Sequence, residues 1–199
     1  MTEIKPEIIV FAGPNGSGKS TITSLLKPPY DYINADEIKA TIKCSDLEAA
    51  VKADQLRREN LKRSSDFSFE TVLSTDRNLM LLKDAKANGY FIKCYYVLTA
   101  DPAINVARVK LRALGGGHDV PREKIITRYQ RALKLVPDLI NTCDIVHVYD
   151  NSESLYRIFK KRKALYYYDP IDSIWSAEDI QHLTGIKDAL YRNLNESAK

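Results

Sequence analysis

Residues 7–21, EIIVFAGPNGSGKST, constrain the fold more than any other stretch, because an apolar run leads straight into G-x-x-x-x-G-K-S and then into a helix-forming sequence. Strand, glycine-rich turn and helix in that order build a cradle for phosphate. Gly13, Gly16 and Gly18 permit backbone geometry that a side chain would block. Successive N–H groups can then curl round an anion at a helix N-terminus, where the helix dipole also favours negative charge. Lys19 is placed to reach the β- and γ-phosphate oxygens of a nucleotide, and Ser20 to offer its hydroxyl to Mg2+. Gly13, Pro14, Asn15, Gly16, Ser17, Gly18, Lys19, Ser20 and Thr21 are therefore all assigned to the nucleotide.

Beyond this motif, strands and helices alternate, which is the pattern of a parallel sheet with crossover helices on both faces. Five strands are expected: Glu7–Ala12, a short one around Tyr32–Ala35, Phe67–Leu73, Phe91–Thr99 and Ile145–Tyr149. Ligands of open parallel sheets bind at the carboxyl ends of the strands. Gly13–Ser20, Asp36, Glu70, Thr99–Asp101 and Asp150–Ser152 should accordingly gather along one rim. Ser45 with Glu48 reads as a capping box for a helix over 46–63, and Asp76 is expected to cap another that Gly89 stops. Pro102 follows Asp101 at a first helical position, and Pro121 opens a helix with the apolar stripe Ile125, Ile126, Tyr129, Leu133 and Val136. A further helix is expected from Ser152, and Ser176 with Asp179 marks a last one. Residues 1–163 form the main domain in this reading. Residues 164–199 form a helical appendage, part of that domain or packed on it.

The chain of 199 residues, 44% of them apolar, is long enough for one domain with a well-buried core. Its net charge of +4 is small and interspersed, which suits an anionic substrate better than nucleic acid. The one dense basic run, Lys160–Lys161–Arg162–Lys163, precedes Tyr166–Tyr167–Tyr168; it reads as the solvated end of a helix, or alternatively as a phosphate and base-stacking patch. Cys44, Cys94 and Cys143 are odd in number and widely spaced, so reduced thiols are expected rather than disulfides or a zinc site. No apolar run is long enough to span a bilayer and the N-terminus has no secretory leader, which predicts a cytoplasmic protein with no membrane partner.

The motifs that are missing narrow the chemistry. No D-x-x-G follows a strand and no N-K-x-D occurs, against a GTPase switch, and no apolar run ends in the Asp-Glu pair of an ATP-driven motor. A small-molecule kinase fits what remains, the alternatives being a kinase of another metabolite or of a nucleic-acid end, or a binding module that ATP organises without turnover. Asp36, just past the second strand, is placed to accept the proton of an acceptor hydroxyl, although N-A-D-E-I-K equally resembles a helix start that Asp36 would merely cap. Glu70, with Thr71 beside it, puts a carboxylate at the end of an aromatic strand, there to hold substrate hydroxyls or the Mg2+ hydration shell, or else to pair with a buried arginine. Arg108, Arg112, Arg128 and Arg131 bracket Gly115–Gly116–Gly117. They read as a mobile lid over about 108–131 that closes on ATP and neutralises the transferred phosphoryl group, the alternative being an exposed, salt-bridged hairpin. His118 has no partner at a motif spacing and is expected to be structural.

Taken together, GPNGSGKST, INADEI, FSFETVLS, RVKLRALGGGHDVP, ITRYQRAL and VYDNS resemble the zeta toxin family of P-loop kinases over residues 7–152, in its compact branch. The resemblance implies an α/β P-loop NTPase fold of adenylate-kinase type, with a five-stranded parallel sheet and an arginine-rich lid. It implies transfer of the ATP γ-phosphate, with Mg2+, to a hydroxyl of a UDP-amino sugar, UDP-N-acetylglucosamine being preferred. It further implies Lys19 and Ser20 as phosphate and metal contacts, Asp36 as base, and Glu70 and Thr71 at the substrate. Arg112 and Arg128 are then catalytic, while Arg108, Arg131 and Asn151 lie at the nucleotide. A small, separately encoded helical antitoxin is the implied partner. The chain departs from the larger toxins in lacking their long C-terminal extension.

Overall fold

The computed structural model describes residues 5–117, 119–170 and 174–191. Strand β1 (Glu7–Ala12) leads through the glycine-rich turn into α1 (Lys19–Leu26), and short β2 (Tyr32–Ile33) is followed by α2 (Ala35–Ile42) and α3 (Asp46–Lys62). Then come β3 (Phe67–Thr71), α4 (Arg77–Ala87), β4 (Phe91–Leu98), α5 (Pro102–Leu114), α6 (Arg122–Lys134), α7 (Val136–Thr142) and β5 (Ile145–Asp150). The described chain closes with β6 (Tyr156–Arg162), β7 (Leu165–Tyr168), α8 (Ala177–Thr184) and β8 (Leu190–Tyr191).

All strands join one sheet in the order β2-β3-β1-β4-β5-β6-β7-β8. The five expected strands are present and mutually parallel, with Val10 of β1 level with Phe69 on one side and Cys94 on the other. The sheet is nevertheless larger and mixed: β6 and β7 run antiparallel beside β5, and β8 pairs parallel with β7. The helix expected from Ser152 is thus strand β6. Aromatic residues and Ile158 decide this, since Ile158 and Phe159 are fully buried and Phe159 lies against Tyr166 and Tyr168. The basic run is the far half of β6 and its hairpin turn. Lys161 is buried with its ammonium donating to the Ile140 carbonyl at 2.5 Å, Lys160 sits over the Tyr167 ring, and Lys163 takes the turn with φ of 55°. Residues 165–168 and 190–191 therefore extend the same sheet, and 177–184 form a helix against it.

Alternation along the strands divides the core. Ile8, Val10, Phe67, Phe69, Ile92, Cys94, Val146 and Val148 face a large cluster that also takes in Ala53, Leu82, Val136, Leu139 and Ile180 from the covering helices. On the opposite face Ile9, Phe11, Ile22 and Val97 form a smaller cluster beneath α1. Val106, Val109, Val120 and Ile125 make a third, which ties α5 to α6. The expected 121–136 helix is broken into α6 and α7 at Leu135, just before Pro137, a residue tolerated only in the first turn of a helix. Helix α3 begins at the expected Ser45–Glu48 capping box, α8 at the Ser176–Asp179 box, and α5 at Asp101, whose carboxylate accepts the Ala103 N–H at 2.7 Å.

Candidate active site

The turn after β1 is shaped by contacts that leave no space for side chains. Gly13 has φ of 143° and a Cβ there would lie 2.0 Å from the Val97 carbonyl oxygen; at Gly16, with φ of 75°, it would lie 2.6 Å from that of Asn105. Gly18, at the start of α1, has left-handed φ of 96° and supplies no side-chain cap, so the first N–H groups of the helix stay available to an anion. Asn151 stands behind the turn and donates to the Ser17 carbonyl at 2.8 Å. These features fit a polyphosphate.

Lys19 folds back over the turn. Its Nζ donates to the carbonyls of Gly13 at 2.9 Å and Pro14 at 3.1 Å and lies 3.7 Å from Glu70 Oε1. Burial pushes its ammonium below the ordinary lysine range; Glu70 and then Asp36 oppose that shift, and Arg112 adds to it. Both carboxylates and Arg112 therefore act on the ammonium. Glu70 Oε2 accepts from the Tyr32 hydroxyl at 2.9 Å and the Asn34 amide at 3.5 Å. None of these partners is an arginine, unlike the buried pairing weighed for Glu70 from sequence. Desolvation, with the neighbouring Glu70, drives the Tyr32 hydroxyl far above its usual value, so it stays a donor. Thr71 Oγ1 is occupied with the Leu73 N–H at 3.0 Å and the Asn78 amide at 2.8 Å.

Asp36 lies in the first turn of α2, and the residue that caps this helix is Asn34. The Asn34 Oδ1 accepts the Asp36 N–H at 2.9 Å, which leaves the exposed Asp36 carboxylate outside the cap. One cleft of about 430 Å3 is lined by Asn15, Gly16, Lys19, Asp36, Glu70, Thr71, Arg112 and Arg128 together. Arg112 comes from the end of α5 and Arg128 from α6, across the glycine turn where Gly116 has φ of 86°. Arg128 reaches the phosphate turn, with Nη1 3.4 Å from Asn15 Oδ1. Arg108, Arg131 and Asn151 lie outside the lining of this cleft. Arg108 donates to the Ser152 carbonyl at 3.0 Å, and Arg131 is exposed on α6. Ser20 is exposed in the first turn of α1. His118 lies outside the described residues.

Sequence reasoning missed four residues here: Tyr32, Asn34, Asn105 and Tyr129. Asn34 had a signal, since asparagine directly before a helix is a strong cap. The others act through tertiary contacts.

No family model matches this chain. A Haemophilus influenzae protein described as uncharacterized is 32% identical over 127 residues, spanning 61% of this chain and 91% of that protein. The chain belongs to that protein's family. Among solved structures, it is similar to one of the PezAT chromosomal toxin–antitoxin system of Streptococcus pneumoniae, with a TM-score of 0.57 and 14% identity over 95% of this chain and 82% of that one. It is similar as well to AvrRxo1-ORF1:AvrRxo1-ORF2 with sulphate ions, with a TM-score of 0.66 and 13% identity over 90% of this chain and 64% of that one. The same complex with ATP gives a TM-score of 0.61 and 13% identity over 89% and 62%. The chain therefore shares the fold of these structures, in line with the α/β P-loop fold that the sequence resemblance to zeta toxins implied. Among the described residues no helix is long and apolar enough to cross a membrane.

Proposed function

We propose that this protein transfers the γ-phosphate of ATP to a hydroxyl of a UDP-activated amino sugar, with UDP-N-acetylglucosamine the preferred acceptor. The observation that carries the reading is the shared cleft of Lys19, Asp36, Arg112 and Arg128. Phosphoryl transfer asks a protein chiefly for alignment, neutralisation of spreading charge and a positioned proton acceptor, and these four side chains supply each part. Lys19 leaves the loop carbonyls to meet the β- and γ-phosphates as the turn's N–H groups bind them. Asp36 Oδ takes the proton of the acceptor hydroxyl as that hydroxyl oxygen attacks the γ-phosphorus and the bond from the γ-phosphorus to the β,γ-bridging oxygen breaks, releasing ADP, while Arg112 and Arg128 stabilise the equatorial oxygens. Glu70 orients the acceptor or the metal's water shell. The Ser20 hydroxyl would hold Mg2+, which would supply further charge neutralisation when bound. Arg108, Arg131 and Asn151 serve the nucleotide end.

The choice of ATP is supported by the AvrRxo1 complex with ATP, and the acceptor by the motif resemblance to zeta toxins. A separately encoded helical antitoxin is the expected partner, a reading supported by the PezAT toxin–antitoxin system. Residues 1–163 are proposed as the catalytic unit, in the cytoplasm. Incubation with γ-labelled ATP, Mg2+ and a panel of UDP-sugars tests the proposal. Label should appear on UDP-N-acetylglucosamine. Label confined to inorganic phosphate, or to an acceptor without a uridine diphosphate group, contradicts it.

A further inference from the structure

Asn105 is fully buried in the first half of α5, an unfavourable place for asparagine unless both ends of its amide are bonded. Both are. Its Nδ2 donates to the main-chain carbonyl of Asn15 at 2.7 Å, and its Oδ1 accepts from the Thr99 hydroxyl. The Thr99 carbonyl accepts from the Tyr129 hydroxyl of α6 at 2.5 Å. Arg128, next to Tyr129, returns to the Asn15 side chain. Asn15, Asn105, Thr99, Tyr129 and Arg128 thus close a ring through the phosphate turn, the end of β4, α5 and α6. At the same place the main chains of Gly16 and Asn105 approach too closely for any side chain on Gly16.

We propose that Asn105 is a positioning residue that locks the phosphate turn to the arginine-bearing helix α6, so that filling the turn and placing Arg128 are one event. With Asn105, Thr99 and Tyr129 buried and Asn15 and Arg128 half-buried, such a ring favours a single relative geometry of the two elements, because loosening one buried member leaves another unpaired. Without the Asn105 amide, the Asn15 carbonyl loses its donor and α6 loses its route to the turn. The role in turnover rests on the kinase reading above. The mechanical tie does not.

Hydrogen–deuterium exchange of residues 13–21 and 122–134, read in the wild type, Asn105→Asp and Tyr129→Phe, separates the two. Asn105→Asp keeps shape but puts an oxygen against the Asn15 carbonyl, and exchange should rise about tenfold in both segments. Tyr129→Phe removes a hydroxyl whose hydrogen bond goes to Thr99 and not to residues 13–21, yet exchange in 13–21 should rise about threefold. The double variant should add little to Asn105→Asp. Changes confined to the substituted element, or independent changes that multiply, overturn the tie. Should Asn105→Asp fail to fold, Tyr129→Phe decides alone. With ATP, the wild type should gain protection in 122–134 and Asn105→Asp should not, its KM for ATP rising about tenfold. A wild type that binds no ATP refutes the kinase reading, while the exchange of the unliganded variants still decides the tie.

Discussion

Asn34 caps α2, so the Asp36 carboxylate is not used in the helix cap and is left for the proton transfer proposed above. Asn34→Ala should therefore cost about 1 kcal/mol of stability, measured by urea unfolding, through the lost cap. It should also disturb turnover, since the Asn34 amide reaches Glu70. Lys19 is the other residue with a divided environment. It is only 7% exposed and held by two carbonyls and a carboxylate, so its removal affects both the empty turn and the filled one. Lys19→Ala is expected to raise KM for ATP and lower kcat together, with kcat/KM down at least about a thousandfold in a steady-state transfer assay. A change in KM alone would assign Lys19 to binding only.

At the level of elements, the glycine turn is held by its close approach to the Val97 carbonyl at Gly13 and to the Asn105 main chain at Gly16. Gly16→Ala combines a left-handed φ with a Cβ 2.6 Å from a carbonyl oxygen, so it should destabilise the fold by about 1–3 kcal/mol in thermal or chemical unfolding. ATP protection should vanish with it. Much of this was legible in the sequence, because Gly-Pro-Asn-Gly-Ser-Gly-Lys-Ser encodes strand, turn and helix locally, and Ser45, Asp101, Pro121 and Ser176 punctuate their helices with short-range chemistry. Strand β6 was hidden. Its Lys160–Lys163 run looks solvated on paper, whereas Lys161 threads its alkyl stem inward and finds a carbonyl from α7, a contact that only the folded sheet creates. The break at Leu135 was masked by an apolar stripe that runs unchanged through Val136. The ring through Asn15, Asn105, Thr99, Tyr129 and Arg128 joins residues up to 113 positions apart and has no local signature.

Across the whole molecule, the sheet face opposite the main core carries a row of rings, Phe11, Tyr95, His147 and Tyr149, with successive centroids 5.7, 5.3 and 6.2 Å apart. Burial, then Arg157 and Lys160, lowers the His147 pKa from 6.5 to about 4. The unfolded chain therefore takes up this proton first as pH falls, so the stability owed to neutral His147 is intact above about pH 6.5 and is lost towards pH 4. Melting temperature should drop over that interval, and His147→Gln should flatten part of the drop; an unchanged slope would remove His147 as a cause. The phosphate turn, the Asp36 carboxylate, Arg112 and Arg128 are proposed to form one catalytic centre. Single-turnover transfer from γ-labelled ATP to UDP-N-acetylglucosamine, comparing wild type with Asp36→Asn, tests it most directly. In Asp36→Asn, transfer should slow by about two to four orders of magnitude with ATP affinity unchanged. Transfer by Asp36→Asn at the wild-type rate would contradict it.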